Sequence, residues 1–198
     1  MESRHTPQRL LALAVSLVAV GHAAADSTIA PSSAFAWSGN AGEFNWRPSA
    51  ANGVLTGEYV SSGMIWAANA GWISVGSGAP ANGIRYANTD GADCGVNVLA
   101  TGALRGLAWG ANIGWVSFEE TGNPRIDFAT GILAGYAWSA NCGWINLDDA
   151  GTHFVATNAI PAGTDSDGDG ITDAWELEFA SNLAVSYTHL TLPTNREV

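Results

Sequence analysis

The pattern Trp-x-x-Asn-x-Gly-Trp occurs three times in this chain, in residues 66–72, 109–115 and 138–144. Each copy runs on into a β-branched residue, Ile73, Val116 or Ile145. A degenerate earlier copy in residues 37–42 keeps Asn40 and Gly42 but has no second Trp at that spacing. Before the two later copies stands a leader, Gly102-Ala103-Leu104-Arg105-Gly106 and Gly131-Ile132-Leu133-Ala134-Gly135. Residues 53–57 match that leader, displaced by a short insertion. Trp109 and Trp138 are 29 positions apart and Trp66 and Trp109 are 43 apart; the excess falls around 89–95, a stretch rich in Gly and Asp that reads as an inserted loop. Self-similarity at such a period signals tandem supersecondary units, none of which buries its apolar face alone.

Each unit reads as β structure. Short apolar runs such as 133–138 and 144–147 are separated by turn residues, and no window between 34 and 158 carries a 3.6-residue apolar period. The Asn and Gly between paired tryptophans tolerate the positive φ that a hairpin turn demands. Trp138 and Trp144 are thereby expected to face each other across two strands. A third strand per unit is expected at 84–86, 125–128 and 153–156. The fold class is mainly β, built of antiparallel hairpin units of about 29 residues. The pattern is compatible with a closed barrel or prism and with an open solenoid.

The repeated tryptophans have two readings. Because they flank the turn rather than lie along one strand face, packing between successive units is the expected role. The alternative is stacking on sugar rings by Trp72, Trp115 and Trp144, as in a carbohydrate-binding module. That residue trio is the candidate ligand-binding set.

Residues 1–25 have a positive start (Arg4, Arg9), an apolar run over 10–21 and small residues at 23–25. This is the composition of a removable export signal, too short for comfortable membrane spanning. The remainder is expected to be exported, extracellular, periplasmic or cell-surface, without a transmembrane span. Residues 26–158 form the Trp-rich β-repeat domain, and residues 159–183 a linker, calcium loop and short helix. Residues 185–194 back-translate naturally to a sequence that resembles a transposase sequencing adapter read in frame. Residues 184–198 are therefore expected to be read-through, with the natural chain continuing differently.

The chain has 18 acidic residues against 7 Arg and no Lys, which argues against nucleic-acid binding through a basic face. His153 is the one histidine outside the signal and tail, and no Gly-x-Ser-x-Gly elbow is present, so a Ser-His-Asp hydrolase is not supported. The same scarcity argues against a zinc site. The pairs Glu119-Glu120 and Asp148-Asp149 follow equivalent strands and raise glycoside hydrolysis as a further alternative. The corresponding place in the first full unit is Gly76-Ser77, so solvated turns are the expected reading and the protein is expected not to be an enzyme. Cys94 and Cys142 are compatible with one disulfide or with two buried thiols.

Residues 165–176, Asp-Ser-Asp-Gly-Asp-Gly-Ile-Thr-Asp-Ala-Trp-Glu, fit the calcium-loop pattern D-x-D-x-D-G-x5-E without a gap. Alternate carboxylates wrap a hard cation and the central glycine permits the turn. Pro161 and Gly163 leave no room for an entering helix. The stretch resembles the thrombospondin type-3-like calcium repeats of secreted bacterial proteins. On that resemblance Asp165, Asp167, Asp169 and Glu176 ligate Ca2+ through side chains, Ile171 through its carbonyl, and Asp173 directly or through water. Thr172 stands where paired EF-hands carry an aliphatic residue, which sets this loop apart from regulatory pairs. The implied protein is a secreted or cell-envelope structural or interaction protein, with calcium, polysaccharide or other envelope proteins as partners.

Overall fold

The computed structural model describes residues 26–149 and 151–179. The expected export signal and the expected read-through tail lie outside the described residues. The chain makes four hairpins, and their eight strands close into an antiparallel barrel. The hairpins are β1 (Ile29–Ser38) with β2 (Gly42–Asn45), and β4 (Ser61–Ala67) with β5 (Gly71–Ser77). They continue with β7 (Leu104–Gly110) and β8 (Gly114–Ser117), then β11 (Tyr136–Ser139) and β12 (Gly143–Asn146). Short strands lie between them: β3 (Leu55–Thr56), β6 (Val96–Val98), β9 (Arg125–Ile126), β10 (Ile132–Ala134) and β13 (Val155–Thr157). One α-helix among the described residues, α1 (Asp173–Phe179), follows. The wall closes where β12 meets β1, pairing Trp37 with Asn146 and Ser38 with Ile145. An open solenoid is thereby excluded.

Each hairpin is one copy of the tryptophan repeat, and the degenerate copy at 37–42 is the first hairpin. The conserved spacing within the repeat has a physical reason at the turn end of the barrel. The Asn69 side chain donates to the Ala41 carbonyl (3.1 Å), Asn141 to the Ile113 carbonyl (3.0 Å) and Asn40 to the Cys142 carbonyl (3.3 Å). At the fourth junction Asn112 packs against Gly71, its amide nitrogen 2.7 Å from where a Cβ at that glycine would be. Each Asn therefore reaches the neighbouring hairpin, through a hydrogen bond at three junctions and through packing at the fourth. The residue before each Gly (Ala41, Ala70, Ile113, Cys142) turns inward and is buried, plugging that end.

The interior is stacked in layers by strand alternation. Next to the plug lie Ser38, Ala67, Gly110 and Ser139, all small; Ile113 fills the space above Gly110. Below them come Ala36, Ile65, Ala108 and Ala137 with Phe44, Ile73, Val116 and Ile145. Trp46, Val75, Phe118 and Leu147 fill the far end, where Trp46 and Phe118 meet edge to face at 6.3 Å. The remaining void among these side chains is about 10 Å³, at or below what a single water needs. The barrel is solid and has no internal ligand cavity.

This arrangement overturns the packing role expected of the repeated tryptophans. Trp37, Trp66, Trp72, Trp109, Trp115, Trp138 and Trp144 lie on the outer wall, each 38–46% exposed. The core is filled instead by aliphatic residues, two Phe and Trp46. The strand alternation that sends Ile73 inward necessarily sends Trp72 outward.

The leader glycines mark where the chain changes partners. The run 133–138 is not one strand: it leaves β10, paired with β9 and β13, and enters β11 of the barrel at Gly135. Gly135 has φ +85, and a Cβ there would lie 2.2 Å from the Asn123 carbonyl oxygen. The third strands expected at 125–128 and 153–156 exist in part: β9 stops at Ile126, before a turn at 128–130, and β13 starts only at Val155. Residues 84–86 do not form one. There the Tyr86 backbone is held by the Asn97 side chain, which accepts from Tyr86 N and donates to Tyr86 O. The Tyr86 hydroxyl accepts from Gly78 N (2.6 Å) and donates to the Ser61 carbonyl (3.2 Å). Burial pushes the pKa of this phenol up, against the pull of the Gly78 N–H. Cys94 and Cys142 are both free thiols, and burial likewise raises the pKa of Cys142.

Candidate binding face and metal centre

Three of the hairpins carry a cross-strand tryptophan pair on the outer wall. Trp66 opposes Trp72, Trp109 opposes Trp115 and Trp138 opposes Trp144, as the repeat predicts. Their ring centroids are 4.9, 4.6 and 4.9 Å apart, with planes inclined at 57°, 62° and 62°. These are the tilted and edge-to-face arrangements aromatic rings prefer. Between hairpins the first Trp of each pair faces a small polar residue: Asn45 faces Trp66, Ser74 faces Trp109 and Ser117 faces Trp138. The candidate set Trp72, Trp115 and Trp144 is exposed, but its members sit on β5, β8 and β12, in separate sectors of the wall.

The first hairpin replaces its missing second tryptophan from elsewhere in the chain. Glu43 occupies the position opposite Trp37. His153 stacks on Trp37 at 5.1 Å and 29°, and its Nε2 lies 3.1 Å from the Glu43 carboxylate. Its Nδ1 is 3.5 Å from Asp149. The histidine thus completes the aromatic wall, a role sequence reading misses because residues 37 and 153 are so far apart.

Beside the last pair the wall has a groove of about 340 Å³, lined by Ser117, Glu119, Thr121, Gly122, Tyr136, Trp138 and Trp144. Its rim is a 3-10 turn, Glu120–Gly122, ended by Asn123 in the left-handed region (φ 46). Glu119, from the first of the two acidic pairs that raise glycoside chemistry, lines this groove. Asp148 does not; it bridges Phe154 near the end of the last hairpin. Trp138 is a repeat tryptophan, whereas Tyr136 stands outside the repeat pattern. The signal for Tyr136 is positional: it lies on β11 two residues before Trp138, across the inward-facing Ala137, so it shares the outer face with Trp138 and Trp144.

The acidic loop brings three of its expected ligands together. One oxygen from each of Asp165, Asp167 and Asp169 lies within 4.8 Å of the others, all exposed. Asp165 also accepts from Gly168 N (2.8 Å) and Gly170 N (2.9 Å), while Asp169 accepts from Ile171 N (2.9 Å). The Asp173 carboxylate is turned onto Ser166, accepting from its N (2.8 Å) and hydroxyl (2.7 Å). Glu176 is fully buried and lies outside the three-aspartate group. Three clustered carboxylates are a hard, all-oxygen donor set suited to Ca2+.

Helix α1 folds back on the barrel. Arg85 forms a two-pronged pair with Glu178 (2.8 and 3.2 Å) and lies 5.2 Å from the Tyr59 ring centre. The Thr172 hydroxyl donates to Glu58 (3.1 Å). No helix among the described residues is long and apolar enough to cross a membrane. Neither a family model nor a curated protein nor a solved structure matches this chain.

Proposed function

We propose that the protein is an exported, non-catalytic interaction module that binds its partner through the tryptophan-bearing outer wall. The observation carrying this reading is the outward placement of seven large aromatic rings around a barrel that is already solid without them. Exposed apolar patches of this kind mark interaction surfaces. The groove beside the last hairpin contains one carboxyl among its lining residues, whereas glycoside cleavage uses two flanking the bond. Export rests on the composition of residues 1–25.

The C-terminal segment is a calcium-binding brace in this proposal. Asp165, Asp167 and Asp169 would hold the ion, with the Ile171 carbonyl, Asp173 and Glu176 completing the set that the loop pattern calls for. Neutralising these carboxylates would relieve self-repulsion in an acidic stretch and rigidify it. Titration calorimetry on the full chain should detect Ca2+ uptake that weakens in Asp165→Ala and Glu176→Ala. Absence of uptake at millimolar Ca2+ would remove calcium from the account.

A second reading, a carbohydrate-binding module, is favoured by the small hydroxyl and amide side chains interleaved with the rings at Ser74, Ser117 and Asn146. Co-sedimentation with insoluble polysaccharides (cellulose, chitin, peptidoglycan) tests it. Retention that falls in Trp72→Ala and Trp115→Ala supports this reading; retention unaffected by both contradicts it.

A further inference from the structure

The third tryptophan pair differs from the other two in its surroundings. Tyr136 adds a third ring, inclined at 76° to Trp144 with centroids 6.1 Å apart, while Trp138 stands at 62° to the same ring. Rings at such steep mutual angles make a corner, not a platform on which a flat sugar face can lie. The groove's single charged lining residue is Glu119, in a chain of net charge −11 without lysine. Aromatic faces carry negative potential and attract cations, and quaternary ammonium groups are the ligands that aromatic corners of this type hold best. A carboxylate at the edge adds Coulombic attraction and repels anions.

The rim beside this corner is fixed. A Cβ on Gly122 would lie 2.0 Å from the Tyr136 carbonyl oxygen and 3.1 Å from the Trp144 ring. A Cβ on Gly135 would lie 2.8 Å from the Gly122 carbonyl oxygen. Both glycines let the 3-10 turn press directly onto β11 and β12, so the groove is formed in advance and little ordering is needed on binding. Its volume falls at the small end of the roughly 300–1,000 Å³ usual for small-molecule sites.

We infer that the groove formed by Tyr136, Trp138, Trp144 and Glu119 is a site for a small organic cation of the quaternary ammonium class, with choline as its simplest representative. This rests on the reading of the outer wall as the binding surface. Phosphate-bearing headgroups meet repulsion from Glu119, so the occupant is the free cation rather than a phospholipid surface.

The test is a titration of the full chain with choline chloride at constant ionic strength, followed by tryptophan fluorescence. The neutral isostere 3,3-dimethylbutan-1-ol is run in parallel. Choline should give a saturable change, with the isostere at least ~10-fold weaker. Glu119→Gln, a substitution of an exposed residue that leaves the barrel intact, should weaken choline about 3- to 10-fold. Trp144→Ala should abolish the response, and Trp72→Ala, in another sector, should leave it unchanged. Equal binding of the isostere, equal loss in Trp72→Ala, or no saturation by ~50 mM choline would overturn the assignment. So would binding of phosphatidylcholine vesicles without binding of free choline. If choline fails while Trp72-dependent retention on polysaccharide persists, the groove assignment falls and the wall remains the binding surface. If the tryptophans prove shielded from solvent, both fall.

Discussion

Asn141 donates its side-chain N–H to the backbone carbonyl of Ile113 in the preceding hairpin, at 3.0 Å. Because Asn69 and Asn40 do the same to their own neighbours, three such bonds tie the four hairpins together in succession. Replacing Asn141 with Ala removes one link and should cost about 1 kcal/mol, the usual net worth of such a bond. Asn52, which is exposed and bonds locally to Ser49, serves as the control. Its alanine variant should change stability by less than about 0.5 kcal/mol. Urea unfolding of both variants measures the difference.

Gly135 is the point at which the chain passes from the outer strands into the barrel. Ala there meets both an unfavourable positive φ and the Asn123 carbonyl oxygen, so Gly135→Ala should destabilise by about 2–4 kcal/mol. Gly91 lies in the inserted loop with nothing within 4 Å of a new Cβ, and Gly91→Ala should be close to neutral. Thermal unfolding of the two variants, compared with the parent, checks the contrast.

Tyr86 predicts a pH dependence. Burial raises its folded pKa above the ordinary 10.0 of a phenol, so the folded state holds the proton more tightly than the unfolded chain does. The corresponding stability is fully present below pH 10 and is lost as pH rises through the folded value. Tyr86→Phe should flatten this alkaline slope. At neutral pH the same change should cost about 1 kcal/mol, because Gly78 N–H loses its acceptor. Denaturant midpoints between pH 8 and 11.5 (roughly, bracketing the phenol range) read both effects.

Arg85 joins α1 to the barrel through Glu178, both side chains being 28% exposed. A pair so accessible to water contributes about 1 kcal/mol or less. Arg85→Ala should therefore leave the barrel's unfolding temperature nearly unchanged while α1 loosens. Hydrogen exchange at amides of α1, such as Glu176 N–H, which donates to the Thr172 carbonyl, should accelerate without a matching change in β4 or β5.

Much of the fold is legible in the sequence because local chemistry decides it. The Asn and Gly of each repeat dictate the hairpin turn, and the two-residue alternation dictates which residues share a face. The pairing of Trp138 with Trp144 follows directly. Which face points inward is decided by closure, through the pairing of β12 with β1, and no local pattern encodes that event. Their position flanking the turn points to packing between units, yet closure leaves the repeated tryptophans outside. The His153–Trp37 contact and the Glu119 groove are equally non-local, since each joins side chains from separate units. Residues 84–86 carry strand-forming side chains, yet Tyr86 is held by Asn97 and Ser61 rather than by a ladder. The acidic loop is the opposite case: its pattern brings Asp165, Asp167 and Asp169 together within a few residues, while the place of Glu176 depends on how α1 docks.

The outward placement of the tryptophans is tested most directly by acrylamide quenching of the full chain's tryptophan emission. Seven of nine tryptophans on the outer wall predict that most of the emission is quenched, with a small residual fraction from Trp46. Emission that remains largely shielded from acrylamide in the folded protein would contradict the account.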